Sequence, residues 1–362
     1  MNEAIQSCIA SFEVSNLNNK GLISGIFAAA AMLILILDGK TALLGAQAGI
    51  SLCLKSILPS LFPFLVFSRL FVNSATGAAN LFLSPLCRFC RVPTECGGLL
   101  FCGCVGGYPS GAQCIAQAYQ SGHIDNAVSQ RMLFFSCNAG PAFLFGIAGR
   151  MFSEPEVPWM LWLITLLSSL LCSVILPEGP PVHRARMDLP PAERFTKTLH
   201  HCVITMACIC GWVVLFRILI AFCQRWFLWI FPAEVQVLVM GLLELSNGCC
   251  SLDRIPDEKV RFVLCSILLA FGGVCVLMQT VSVLGTLSAR PYLAGKIMQA
   301  LFSGFISLCL VYGHWFLLAV FLSLTVLCRK KTVANMPNLL YNTLTNLRRH
   351  GYAVSKKDGT FL

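Results

Sequence analysis

The residues best suited to chemistry are the glycines, prolines and polar side chains of two short interruptions in strongly apolar sequence. The first is Gly106-Gly107-Tyr108-Pro109-Ser110-Gly111-Ala112 and the second is Asn138-Ala139-Gly140-Pro141. Their types suit ligand binding rather than bond breaking. Pro109 lacks a backbone donor and its ring clashes with the preceding turn. Gly107 and Gly111 reach backbone angles closed to other residues. A half-helix starting after Pro109 or Pro141 aims free N–H groups and the positive end of its dipole at whatever faces it, which favours an anion. Tyr108, Ser110, Gln113 and Asn138 add hydrogen bonds suited to a carboxylate or a ring nitrogen. The same residues have a structural reading, in which glycine permits close helix packing and the polar groups satisfy broken backbone. Residue types alone do not choose between the two.

Two further interruptions follow later in the chain. Glu244-Leu245-Ser246-Asn247-Gly248 ends one apolar run, and Ala270-Phe271-Gly272-Gly273 splits another, with Gln279 six residues on. Glu244 and Arg217 are the sharpest single charges, since an ionisable group inside a span is a functional candidate by default. Against this, Glu244 sits where its run ends and can reach an interface. Arg217 can pair with Glu244 or snorkel to the headgroups. Arg131, Arg150 and Lys296 read as markers of span ends. The candidate binding set is therefore Gly107, Tyr108, Pro109, Ser110, Gly111, Gln113, Asn138, Gly140, Pro141, Glu244, Asn247 and Gln279.

The elements that position these residues are membrane helices. Of 362 residues, 57% are hydrophobic and 12% charged, with a mean hydropathy of +0.76. Soluble domains carry about 25% charged residues, so the composition specifies a polytopic membrane protein. The formal net charge of +10 comes from Lys and Arg spread between apolar spans and over the tail. That is the pattern of positive flanking loops and not of a nucleic-acid surface. The 20 cysteines stand mostly singly in apolar runs, where they act as small hydrophobes. Cys87 and Cys90 form the lone Cys-x-x-Cys, without the second pair or histidine of a zinc site. So many thiols also argue that the chain avoids a strongly oxidising space. No phosphate loop, HExxH or Gly-x-Ser-x-Gly motif is present. The expectation is thus not an enzyme, with no metal and no cofactor.

Along the chain, residues 1–20 are polar and mixed, and 21–37 read as an uncleaved first helix rather than a signal peptide. The first membrane half runs over 21–177. Within it, Pro59 and Pro63 hinge two apolar pieces, 42–58 and 61–73, which Lys55 and Arg69 interrupt; residues 84–96 read as a polar loop, and Asp125 reads as a helix cap. A proline-rich basic linker covers 178–198, a second membrane half 199–328, and a basic tail 329–362. The second half reads as four spans, the last over about 300–328. This count puts linker and tail on one side, expected to be cytoplasmic. The expected fold is an all-α polytopic membrane protein. It has about eight to ten transmembrane or re-entrant helices, in two related halves with broken helices. In transporters, paired interrupted segments of this kind mark the substrate site near the bilayer midplane.

Four stretches also carry a family resemblance. GLLFCGCVGGYPSGA (98–112), CNAGPAFLFG (137–146), ELSNG (244–248) and AFGGVCVLMQ (270–279) resemble the signatures of the sporulation integral membrane protein YlbJ family. That family is related to nucleoside-recognition, or Gate, domain proteins. The likeness runs from about residue 20 to 330, in the same order and spacing. It departs at Gly106, where the family often has serine, and at Gln113, where it often has a basic residue. Cys137 and Ala139 also replace more polar residues. These changes keep the backbone breaks and remove side-chain donors. The resemblance implies a multi-pass membrane protein of a spore-forming bacterium, in the forespore or mother-cell membrane. It implies transport of dipicolinic acid or a similar small anion between those compartments. A nucleoside-type transporter and a non-transporting scaffold of a spore membrane complex are the alternatives. The implied partners are a small anion and the lipid bilayer, with no nucleic acid; a homo-oligomer is left open.

Overall fold

The computed structural model describes residues 25–26, 28–176 and 195–331. Residues 1–20, nearly all of the linker and nearly all of the tail lie outside this set, and with them the sidedness expected from their charge. Every regular element among the described residues is helical. Five helical stretches are long and apolar enough to cross a membrane, and four shorter apolar helices accompany them. Large apolar side chains such as Leu33, Ile36, Leu215, Leu301 and Phe316 are exposed, as expected where lipid rather than water is the neighbour. The chain is a multi-pass, all-α membrane protein.

Helix α1 covers Ala28–Leu37, and α2, Gly39–Leu52, is capped by Asp38, whose carboxylate accepts from Thr41 N. A widened π-turn, Cys53–Ile57, leads directly into α3, Leu58–Cys90. Pro59 clashes with the carbonyl four residues earlier, at Lys55, which lies within that turn. The helix continues through Pro63 and Pro85 and ends at Arg91 in a left-handed conformation. Most of the stretch expected as a polar loop, 84–96, is thus helix. Proline is tolerated there because nearby groups in a membrane helix bundle can re-satisfy the one freed carbonyl. Cys87 and Cys90 are fully buried in the core beside Leu99, Ile115 and Met132. Cys87 Sγ faces Thr94 O, so the pair serves packing.

The core of the molecule is two pairs of broken helices. In the first, α4 (Gly97–Phe101) and a π-turn (Cys102–Gly106) stop at Gly107, and α5 (Ser110–Gln120) begins after Pro109. A turn leads to Asp125, which accepts from Val128 N at 2.7 Å and caps α6, Asn126–Phe135. Helix α6 breaks over 136–140, and α7 (Pro141–Gly146) follows, with Pro141 at its first position. Helix α8, Val157–Ile175, closes the first half.

The second half repeats this order. After α9 (Phe195–Trp226), α10 (Ala233–Leu243) breaks at Glu244 before α11, Leu245–Cys250. Asp257 then accepts from Lys259 N and Val260 N and caps α12, Glu258–Phe271. Gly272, at φ +86°, breaks α12 from α13, Gly273–Leu284. Two more helices follow, α14 (Arg290–Val311) and α15 (Trp315–Lys331). They correct the single last span expected over 300–328. Gly313 at φ +72° turns the chain, and His314 N bonds back to Cys309 O. The four-span count for this half therefore does not hold. The halves interlock: α3 packs on α9, α5 on α13, and α6 and α8 on α14.

Candidate functional site

Three of the four breaks, and the helix that follows the fourth, line one small cavity. Gly106, Gly107, Tyr108 and Ser110 line it from the first break, and Gly140 and Ala142 from the second. Glu244, Leu245 and Ser246 come from the third, and Val276 and Gln279 stand one and two turns beyond the fourth. Apolar side chains from α3, α7 and the middle of α9, among them Leu65, Phe143, Met206 and Val213, complete the wall. The enclosed volume is about 50 Å³, room for a few water molecules.

The backbone at the breaks is held by specific close approaches. Gly107 has φ +74° and ψ −172°, a region open essentially to glycine alone. A Cβ there would stand 3.0 Å from Gly140 N, so the first two breaks touch through their glycines. Asn138 N also donates to Gly103 O at 3.0 Å. Gly111 does not line the cavity. It packs on Gly103, whose Cα would be 2.7 Å from an added Cβ. Asn138 is fully buried and does not line the cavity, its Nδ2 donating to Ser169 Oγ at 3.2 Å. Gln113 accepts from Arg69. Pro109 and Pro141 occupy the starts of α5 and α7 without lining the cavity. Of the twelve residues singled out from sequence, Gly107, Tyr108, Ser110, Gly140, Glu244 and Gln279 are brought together around the cavity. The other six stand beside it.

Glu244 is 2% exposed. Its carboxylate accepts from Ser246 N at 3.0 Å, Asn247 N at 2.8 Å and Asn247 Nδ2 at 2.6 Å. It thus caps α11 and uses the free donors of that helix start. Arg217 does not pair with it. The guanidinium donates instead to Gln224 Oε1 at 3.2 Å.

Lys296, read from sequence as a span end, is the central correction. It lies on α14, is 1% exposed, and donates to Cys137 O, Gln299 Oε1 and, at 3.1 Å, Tyr108 Oη. Those three bonds use its whole donor capacity. The ammonium also stands over the Tyr108 and Tyr292 rings, at 4.9 and 5.8 Å from their centroids. It sits at the C-terminal end of α6, where the helix dipole is negative. Gln299 Nε2 and Ser169 Oγ satisfy Phe135 O, at 2.8 and 2.5 Å. Tyr108 in turn donates to Leu269 O at 3.1 Å, near the end of α12, and its ring covers Gly272. One lysine and one tyrosine therefore join three of the four breaks across the two halves. The sequence did hold a signal for this. Lys296, Gln299, Ser303 and Ser307 are spaced 3-4-4, a polar stripe on one face of an apolar helix, and all four are buried. Arg131 is likewise no simple span end, since its guanidinium donates to Cys90 O and Ser173 O.

Arg69, treated in sequence only as an interruption of an apolar run, is buried on α3 at 8% exposure. Among the described residues, Arg69 and Lys296 have no carboxylate partner, whereas Arg225 pairs with Asp38. The described residues thus bury two cations and one carboxylate, and that carboxylate is taken up by its own helix cap.

No family model and no solved structure matches the chain. It is similar to the sporulation integral membrane protein YlbJ of Bacillus subtilis (strain 168). The two are 21% identical over 319 residues, spanning 75% of this chain and 78% of that protein.

Proposed function

We propose that this chain carries a small organic anion across a membrane of a sporulating cell, and that dipicolinate is the substrate. The observation that carries the reading is one cavity lined by residues of three helix breaks and by the helix that follows the fourth, in a fold whose described residues bury two cations and one carboxylate. Broken backbone at membrane depth is tolerated where it is buried in protein or lines a wet cavity, and such sites serve substrates in transporters. Similarity to a sporulation membrane protein supports the cellular setting, and the resemblance of the four signatures supports the choice of dipicolinate. A cavity of about 50 Å³ is too small for a pyridine dicarboxylate. Carriage therefore requires the halves to separate around the cavity, as in alternating access. The test is uptake by the purified protein in lipid vesicles, with labelled dipicolinate and a labelled nucleoside run side by side. Dipicolinate should accumulate unchanged above protein-free vesicles. Nucleoside uptake alone would reassign the substrate, and uptake of neither would leave the scaffold reading.

Two variants probe the buried charges. Lys296→Met removes the donor to Cys137 O and Gln299 Oε1, at about 1–3 kcal/mol for each unmatched acceptor. It also removes a buried charge that costs roughly 2.5–3.5 kcal/mol at a helix centre on insertion scales. These nearly cancel, so the variant should reach the membrane, while Tyr108 loses a bond that fixes it and uptake falls. Membrane immunoblots and vesicle uptake check this together. Absence of the variant from the membrane would make the node purely structural. Glu244→Gln keeps the size of the side chain but removes its charge and one of the two acceptor oxygens of the cap. If Glu244 carries a coupled proton, the dependence of uptake on pH flattens; an unchanged profile assigns Glu244 to capping alone.

A further inference from the structure

We propose that Arg69, Ser110 and the start of α5 form a carboxylate subsite in the wall of this cavity. The inference rests on the anion-carrier reading and names the group that would hold the anion's charge. Of the three buried ionic side chains among the described residues, two have a partner on every charged atom. Lys296 spends three donors on three acceptors, and Glu244 accepts from three donors. Arg69 does not. Its Nη2 donates to Gln113 Oε1, but its Nε is buried without a partner. A buried donor left unmatched is destabilising, and more so when charged.

Ser110 is the second such group. It is 1% exposed, lines the cavity, and its Oγ has no partner. It is the first residue of the 11-residue helix α5, whose start carries no side-chain cap. Gln113, the residue that engages Arg69, is three positions on and so shares a face with Ser110. On α3, Leu65 lines the cavity one turn before Arg69. Ser68 Oγ and Ser110 Cβ both lie about 3.5 Å from where a side chain at Gly106 would begin (3.6 and 3.5 Å). Arg69 follows Ser68 on α3 and reaches Gln113 on α5, so it ties α3 to the helix whose first residue, Ser110, forms this part of the wall. A carboxylate seated there would accept from the Ser110 hydroxyl, face the positive end of α5, and supply Arg69 Nε with its missing acceptor. A guanidinium suits this role because it stays charged when buried and presents donors in a planar fork.

The experiment is thermal unfolding of the full-length protein in detergent, with dipicolinate and with its neutral isostere, pyridine-2,6-dicarboxamide. Ligand binding to the folded state raises the unfolding temperature, with no need for transport. Wild type should respond to dipicolinate and not to the diamide. Arg69→Gln should weaken apparent dipicolinate affinity by about ten- to hundred-fold, and Ser110→Ala by about two- to ten-fold. Arg69→Lys should keep part of the response, and if Arg69→Gln does not fold, Arg69→Lys and Ser110→Ala decide the matter. Equal dipicolinate stabilisation of wild type and all folded variants overturns the subsite and leaves the carrier reading intact. Stabilisation by the diamide as strong as by dipicolinate also overturns it, because charge would then not be what is recognised. No response of wild type to dipicolinate, together with no vesicle uptake, removes both.

Discussion

Gly295→Val leaves little or no folded protein in the membrane. A side chain at 295 would start within bonding distance of Phe134 O, and 2.6 Å from the carbon of the same carbonyl. The obstacle is backbone, not a side chain that can swing away. That backbone is the last turn of α6, pinned next door by Gln299 Nε2 and Ser169 Oγ on Phe135 O. Helix α14 must therefore move off α6, and Lys296 and Gln299 move with it. Overpacking alone typically costs 1–3 kcal/mol. Each buried hydrogen bond lost with its acceptor stranded adds about 1–3 kcal/mol. With three or four such bonds on α14, the sum approaches the 5–15 kcal/mol that holds most domains together. Gly295→Ala should be nearly as damaging, because the clash is at Cβ. Ile297→Ala, on the exposed side of the same helix, should be tolerated. The measurement is the amount of each variant in the membrane fraction, followed by its elution as a single species after detergent extraction. Wild-type amounts of Gly295→Val would mean that α14 and α6 do not approach as described.

The contrast between Gly295 and its neighbour shows what the sequence could and could not reveal. Breaks announce themselves locally, because glycine and proline act on their own backbone. Gly107, Gly140-Pro141 and Gly272 were legible for that reason, and so was the Asp125 cap. The class of fold was legible because roughly 20 consecutive apolar residues have few soluble uses. Partners across the fold were not. Lys296 satisfies a carbonyl 159 positions away, and no local pattern records that. Reading hydropathy also trims a span at its charges, which placed Lys296 outside the helix that buries it and made Arg69 a mere interruption. Proline misled in the opposite direction. Pro63 and Pro85 suggest ends, yet α3 passes through both, because tertiary packing outweighs a local penalty of about 3 kcal/mol. The single glycine at 313 was too weak a signal to split an apolar run, although it does so. Of the candidate site, side chains on the breaks themselves were found, and the two buried cations were missed.

Gly107→Val abolishes uptake while the protein still reaches the membrane. At φ +74° and ψ −172°, a β-branched residue meets strain of order 1–3 kcal/mol. Its Cβ would also lie 3.0 Å from Gly140 N and 3.2 Å from Gly140 Cα, closer than ordinary contact. Unlike Gly295, Gly107 sits between half-helices, so the strain can relax by shifting a short connecting segment. The total is smaller than a typical folding stability, and the helices on either side keep their packing. The shift falls on the cavity wall, however, because Gly107 and Gly140 both line it and Tyr108 follows immediately. Displacing Tyr108 also disturbs its bonds to Leu269 O and Lys296, so the two halves lose one of the polar contacts they share. A loss of about 1.4 kcal/mol at the site is already tenfold in rate, and this variant should exceed that. Gly211→Val is the control, since Gly211 on α9 has nothing within 4 Å of an added Cβ. Uptake into vesicles, normalised to reconstituted protein, compares the two. Gly107→Val with wild-type uptake would show that the touching glycines are a packing device and that no ligand passes between them.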